Sequence, residues 1–230
     1  MNATPQKRAL VIGAFGGIGA AFVQSIDSDP IYQSVTGLHR SSAIAIDLAD
    51  EASIAAAARA CEGLGPFQLI INAAGLLHAA AFMPEKKLGD LTAAQMQATF
   101  AINTIAPALL LRHFTPLLAR EGAVMAMLSA KVGSIGDNRL GGWYSYRASK
   151  AALNMLVKTA AIELRRTQPN TVLVALHPGT VNTRLSQPFR GAEIGRPAEE
   201  AAAEMLKVMH SLSPADSGNF ISYSGERLPW

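Results

Sequence analysis

The chain has 230 residues, of which 50% are hydrophobic and 16% charged, and its formal net charge is +3. That apolar supply is enough for a buried core and excludes a disordered chain, while a modest charge with no basic run or basic helix face argues against nucleic acid as a partner. A single cysteine, Cys61, allows no internal disulfide and fits a reducing compartment. The start of the chain lacks a signal-peptide core and no apolar run reaches the ~18 residues of a membrane span, so the expectation is a cytoplasmic protein.

In chain order, residues 1–7 read as a polar tail. Arg8 to Ile12 reads as a short buried strand, and Gly17 to Ile26 is helical in pattern. Val35 to Leu38 predicts a second strand and Ala43 to Ile46 a third. Asp50 to Glu62 predicts an Ala-rich helix in which Cys61 serves packing. Gln68 to Asn72 predicts a fourth strand. Leu91 to Arg120 is a long helical stretch that Pro107 and Pro116 should bend or divide. Ala123 to Leu128 is strand-like, Tyr146 to Arg166 a long helix and Thr171 to Leu176 a strand. Pro197 to Ser211 reads as a helix with proline in its first turn, and Phe220 to Tyr223 as a last short strand. Strands separated by helices imply βαβ units. Continuously apolar strands imply a sheet covered on both faces. The expectation is one α/β domain over residues 8–230, a doubly wound parallel sheet of about seven strands with helices on both sides.

Two motifs bring chemistry into this frame. After the first strand, IGAFGGIG places glycines at Gly13, Gly17 and Gly19 before a helix start. Glycines permit a tight turn and close backbone approach, and a helix N-terminus offers N–H donors to a pyrophosphate. The spacing is G-x-x-x-G-x-G, not the commoner dinucleotide fingerprint. The second strand ends at Leu38-His39-Arg40-Ser41, with no acidic residue to favour a free ribose 2′-hydroxyl. Arg40 suits a 2′-phosphate instead, which predicts NADP(H) over NAD(H). Further on, YRASK sets Tyr146 and Lys150 four apart on one helical face. A cation near a phenol favours the phenolate, and such a pair can move a proton.

The glycine loop, Asn72-Ala73-Ala74-Gly75, Asn103, Tyr146 with Lys150, and His177-Pro178-Gly179 with Thr183 occur in one order. That order, over residues 8 to about 225, resembles the short-chain dehydrogenase/reductase family, a Rossmann-type fold. The stretch GSIGDNRLGGWYSYRASKAALN is similar to the C-factor and sniffer-like carbonyl reductase branch. The resemblance implies that Gly13, Gly17, Ile18 and Gly19 cradle the pyrophosphate and that Asp47 and Leu48 meet the adenine. It implies that Asn72, Ala73 and Gly75 line the cofactor and that Pro178, Gly179 and Thr183 border the nicotinamide. Tyr146 would exchange a proton with a carbonyl or alcohol substrate. Lys150 would lower the tyrosine's pKa and hold the nicotinamide ribose. Asn103 would support a water-linked path to Lys150, and the protein would form a homodimer or homotetramer.

The sequence departs from the family pattern at two places. Ile12 stands where a threonine usually precedes the first glycine. The fifth strand ends in Ser129-Ala130 where the family commonly has two serines, the second of them catalytic. Ser129 is the favoured substitute and Ser134 the alternative. His78, His113 and His210 show no metal-ligand spacing, His177 reads as structural, and no metal site is expected. Tyr144, with no lysine four residues on, is expected to line the cleft or the core. Arg184 to Ile194 reads as a short lid that suggests an apolar substrate with room for an anionic part. An alternative on the same fold is a nucleotide-binding signalling protein without turnover.

Overall fold

The computed structural model describes residues 7–230. The polar tail expected over residues 1–7 lies outside the described residues up to Gln6, and Lys7 already belongs to the first strand. Six strands form one parallel sheet in the order β2-β1-β3-β4-β5-β6. They are β1 (Lys7–Ile12), β2 (Tyr32–Leu38), β3 (Leu69–Asn72), β4 (Val124–Leu128), β5 (Val172–His177) and β6 (Phe220–Ser222). The helices are α1 (Gly17–Asp27), α2 (Glu51–Cys61), α3 (Ala93–Phe100), α4 (Ala106–Phe114), α5 (Tyr144–Thr167), α6 (Gly191–Ile194) and α7 (Ala198–Ser211).

Side chains alternate across each strand, so one strand feeds two cores. Leu10 and Ile12 of β1 join Ile54, Phe114, Leu153 and Leu173 on the face covered by α2, α4 and α5. Ala9 and Val11 join Phe22, Val174, Met205 and Ile221 on the face covered by α1 and α7. All these strand residues are fully buried, which is why the strands read as unbroken apolar runs. Cys61 is among the packed side chains of the first face, and burial pushes its thiol up to about 11, which makes it an unreactive packing residue.

The strand predicted over Ala43 to Ile46 is corrected: it is a bend in which Ala45 makes only an isolated bridge to His39. A side chain has taken over the local hydrogen bonding there, since the His39 N–H donates to Ser42 Oγ at 2.9 Å. The long helical stretch is divided near both prolines. A π-turn, Ala101–Ile105, separates α3 from α4, Pro107 lies in the first turn of α4, and Pro116 lies in a 3-10 turn. Strand order switches direction between β1 and β3, while the strands stay parallel, and a crevice opens at their C-terminal ends, where sheets of this kind bind ligands.

Candidate active site

The glycine turn follows β1 directly. Gly13 has φ +82°, and a side chain there would meet Ala74 N at 2.8 Å. A Cβ at Gly17 would stand 2.8 Å from Thr183 Cγ2, so the turn and the segment after β5 are in contact. The first turn of α1 has no side-chain cap at Gly16 and carries no acidic residue, leaving its N–H groups to face the crevice. Asn72 ends β3 buried, its Oδ1 accepting from Ala74 N at 3.2 Å, and Ala73 N donates to Ile12 O at 2.8 Å. Gly13, Gly17, Ile18, Gly19, Asn72, Ala73, Gly75 and Thr183 therefore meet around the ends of β1 and β3. The tip of β2 adjoins them, because His39 packs on Phe15 of the glycine turn with ring centroids 5.5 Å apart. Arg40 and Asp47 are exposed beyond it, while Leu48 packs partly buried on the core.

Tyr146 and Lys150 both lie in the first two turns of α5 and both are buried. Lys150 Nζ donates to Leu128 O at 2.9 Å and sits 5.8 Å from the Tyr146 ring centre. Burial dominates both groups: it pushes the phenol up from its ordinary value and the ammonium down to about 8. The downward pull on the tyrosine expected from its neighbour is outweighed by desolvation, so the phenol carries its proton at neutral pH.

Asn103 is fully buried in the π-turn, a kind of helix irregularity that often marks functional sites. Its Oδ1 accepts from Leu76 N at 2.8 Å, and its Nδ2 donates to Leu76 O at 2.7 Å and to Ser149 Oγ at 3.1 Å. A Cβ on Gly75 would lie 3.6 Å from both Asn103 Oδ1 and Lys150 Nζ, so all three surround one point.

A cleft of about 450 Å³ opens beside Tyr146. Ser129, Ala130, Trp143, His177, Pro178 and Gly179 are among its lining residues, together with apolar side chains of the lid segment. Ser129 is buried and its Oγ donates to Asn154 Oδ1 at 2.7 Å. Ser134 Oγ accepts from Asp137 N at 3.1 Å, and Ser134 lies off the cleft lining. His177 Nδ1 accepts from Lys131 N at 3.2 Å, and burial holds its pKa down to about 4, which keeps the ring neutral. Arg184 and Arg190 do not line the cleft, and Arg190 pairs with Glu193, so the anionic recognition suggested by the lid's arginines has no counterpart at the site. Among the described residues no cluster of metal-ligating side chains is found.

Two residues at the site escaped the sequence reading. Glu85 is buried and binds the start of α5: its Oε2 accepts from Ser145 N at 3.2 Å and its Oε1 from Ser145 Oγ. Trp143 adopts left-handed backbone just before α5. Neither leaves a local signal, since the capping partner comes from a loop 60 positions away.

A strand, glycine turn and helix beside a buried Tyr-x-x-x-Lys pair define a dinucleotide-type oxidoreductase scaffold. The model of the short chain dehydrogenases matches residues 7–193, and the chain belongs to that family. It is 38% identical over 170 residues to the C-signal protein of Myxococcus xanthus, covering 72% of this chain and 94% of that protein. It is 37% identical over 155 residues to the 1-hydroxy-2-glutathionyl-2-methyl-3-butene dehydrogenase of a Rhodococcus species, covering 67% of each. Among solved structures, the NADPH-bound carbonyl reductase from chicken fatty liver superposes with TM-score 0.83 at 28% identity, covering 100% of this chain and 96% of that one. The Drosophila melanogaster carbonyl reductase Sniffer shares the fold, with TM-score 0.85 at 23% identity over 98% and 100% of the two chains. Among the described residues no helix is long and apolar enough to cross a membrane.

Proposed function

We propose that this protein is an NADP(H)-dependent oxidoreductase that interconverts a carbonyl and an alcohol, with Tyr146 as the acid/base group. The observation that carries this reading is the convergence of a buried, protonated Tyr146, Lys150 and Asn103 beside a glycine turn built for close backbone approach. The donors and glycines fit a dinucleotide: side chains at Gly13 and Gly17 would fill the turn, and the α1 N-terminus offers free N–H groups to phosphate. Bound there, the nicotinamide supplies the hydride.

The chain's own residues do the rest. Gly13, Gly17, Ile18 and Gly19 seat the pyrophosphate, while Asn72, Ala73, Gly75, Pro178, Gly179 and Thr183 wall the nicotinamide side. Asp47 and Leu48 border the adenine, and Arg40 binds the 2′-phosphate, a role supported by its exposure and by the lack of an ion pair to it among the described residues. Tyr146 Oη donates its proton to the substrate oxygen as charge grows there and recovers it through Lys150 and the Asn103 cluster. Ser129 gives a hydrogen bond to the same oxygen once its hydroxyl turns from Asn154. The chicken carbonyl reductase, whose structure holds NADPH, supports the cofactor. The likeness to C-signal, together with Ala130 and the engaged Ser129 hydroxyl, supports a second reading, a nucleotide-binding signalling protein without turnover.

Fluorescence titration with NADPH and NADH, followed by a carbonyl panel, separates the two. Arg40→Ala is expected to weaken NADPH about tenfold, the scale of one charge-assisted phosphate contact, and to spare NADH. Tyr146→Phe should keep NADPH binding and lose turnover. Ser129→Ala should lose about a hundredfold in kcat, while Ser134→Ala should lose little. Tight NADPH binding without turnover on any carbonyl selects the signalling reading. Failure of both nucleotides to bind defeats both.

A further inference from the structure

Trp143 holds a conformation that its side chain resists. Its φ is +53° and ψ 43°, in the left-handed region, directly after Gly141 and Gly142 at φ +63° and +65°. Glycine adopts that region freely, whereas a bulky side chain does so at a cost that persists only where the surroundings impose it. Here they do: Trp143 N donates to Glu85 O, and Arg147 N donates to Trp143 O at 2.8 Å. A third glycine would make the same turn without strain, so the indole itself needs a reason to be there.

Its surroundings supply one. The Trp143 ring packs edge-on against Phe189 of the lid segment, with centroids 4.9 Å apart and planes at 61°, and against Tyr146 at 6.2 Å. Phe189 in turn meets the His78 ring at 5.8 Å. An aromatic wall thus runs from the lid to the catalytic phenol. Leu77, Val132, Leu185 and Ile194 add apolar side chains to the cleft, the hydroxyls of Ser129, Thr180, Thr183 and Ser186 on its lining are uncharged, and no carboxylate lines it. Its one ammonium, Lys131, lies 3.6 Å from Asp137, and His177 is neutral. Nothing in this lining recognises a charge, while ring faces and edges reward a flat π-surface over a flexible chain.

We propose that Trp143 is a specificity-determining residue that, with Phe189, selects an uncharged aromatic carbonyl and presents its oxygen to Tyr146. This inference rests on the carbonyl reductase reading above. The test compares kcat/KM for benzaldehyde and butanal, at saturating NADPH, in the wild type, Trp143→Gly and Trp143→Phe. Relief of the backbone strain offsets part of the lost ring packing and of glycine's entropy cost, so Trp143→Gly should still unfold cooperatively, and its kinetics report the lost ring. The benzaldehyde-to-butanal ratio should favour benzaldehyde in the wild type. It should fall on the order of tenfold in Trp143→Gly and stay near the wild-type ratio in Trp143→Phe. Equal losses on both aldehydes would make Trp143 a lid contact and overturn the proposal, as would an unchanged ratio or a wild type that prefers butanal. A wild type that binds NADPH and turns over another carbonyl of the panel but neither aldehyde overturns this inference alone, whereas no turnover on any carbonyl overturns the reductase reading and this inference with it.

Discussion

Lys150 is a cation placed where water is scarce, and its titration should be visible in opposite directions. Burial lowers it from an ordinary 10.5 to about 8. Below about pH 8 the ammonium is charged; above it the charge goes, while the phenol of Tyr146, pushed up by its own burial, keeps its proton. The kcat/KM for NADPH, which reports groups of the free enzyme, should therefore fall as pH rises through about 8. Stability should do the reverse. Between about pH 8 and 10.5 the folded state binds fewer protons at Lys150 than the unfolded chain does, so stability rises with pH across that window. Urea unfolding of the wild type and Lys150→Met at pH 7.5 and 9.5, alongside the kinetics, checks both slopes, and the variant should lose the rise. A wild-type rate that climbs through this window would sink the assignment. At this scale the sequence made the spacing of Tyr146 and Lys150 legible but not which force governs them, because desolvation depends on neighbours that pattern does not reveal. Asn103, flanked by Ile102 and Thr104, could have faced solvent; only the π-turn shows it turned inward.

The helix that carries the pair is held by a residue from elsewhere in the chain. Trp143, at the N-cap of α5, makes no side-chain capping bond, and the first turn holds no acidic residue. Glu85 fills that role from the loop after β3: its carboxylate takes Ser145 N and Oγ, and its main-chain oxygen takes Trp143 N. Glu85→Ala would leave a buried N–H and hydroxyl without partners, a loss of about 1–3 kcal/mol. Urea unfolding should show it, and a cycle with Ser145→Ala should return a coupling of order 1 kcal/mol, since the two side chains are in contact. Additive losses in that cycle would mean that the pair is not a cap. Element order was readable because apolar runs and helical stripes are local. The boundaries that moved were set by non-local partners: β2 begins at Tyr32, where β1 pairs with it, and α5 begins at Tyr144, beside Glu85. The third strand failed because Ala43–Ile46, though apolar in part, has no neighbour to pair with beyond one bridge.

At the scale of the whole molecule, an apolar groove lies open at the surface between α4 and α5. On α5, Leu153 and Val157 are fully buried inside, while Leu156 and Ala160 are half-buried at the surface. Those two, with Ala108, Leu111 and Leu164, line this groove of about 400 Å³, with Arg112 and Glu163 also on its lining. Small and aliphatic side chains along the two helices allow close approach of a like surface, and a two-fold pairing would set α4 and α5 of one protomer against the same helices of the other. We expect a homodimer through this groove, or a homotetramer that contains it. Ala160→Arg places a long cation there, at a half-buried position from which its charged end can reach water. Sedimentation velocity should find the wild type dimeric or larger at micromolar concentration and the variant monomeric, with its thermal unfolding still cooperative. The N-terminal turns of α5 carry Tyr146 and Lys150, and Ala160 lies three turns further along the same helix. Dissociation should therefore lower the melting temperature more than it lowers NADPH affinity. If the arginine variant sediments like the wild type, the groove is not the interface, and another face must hold the copies together.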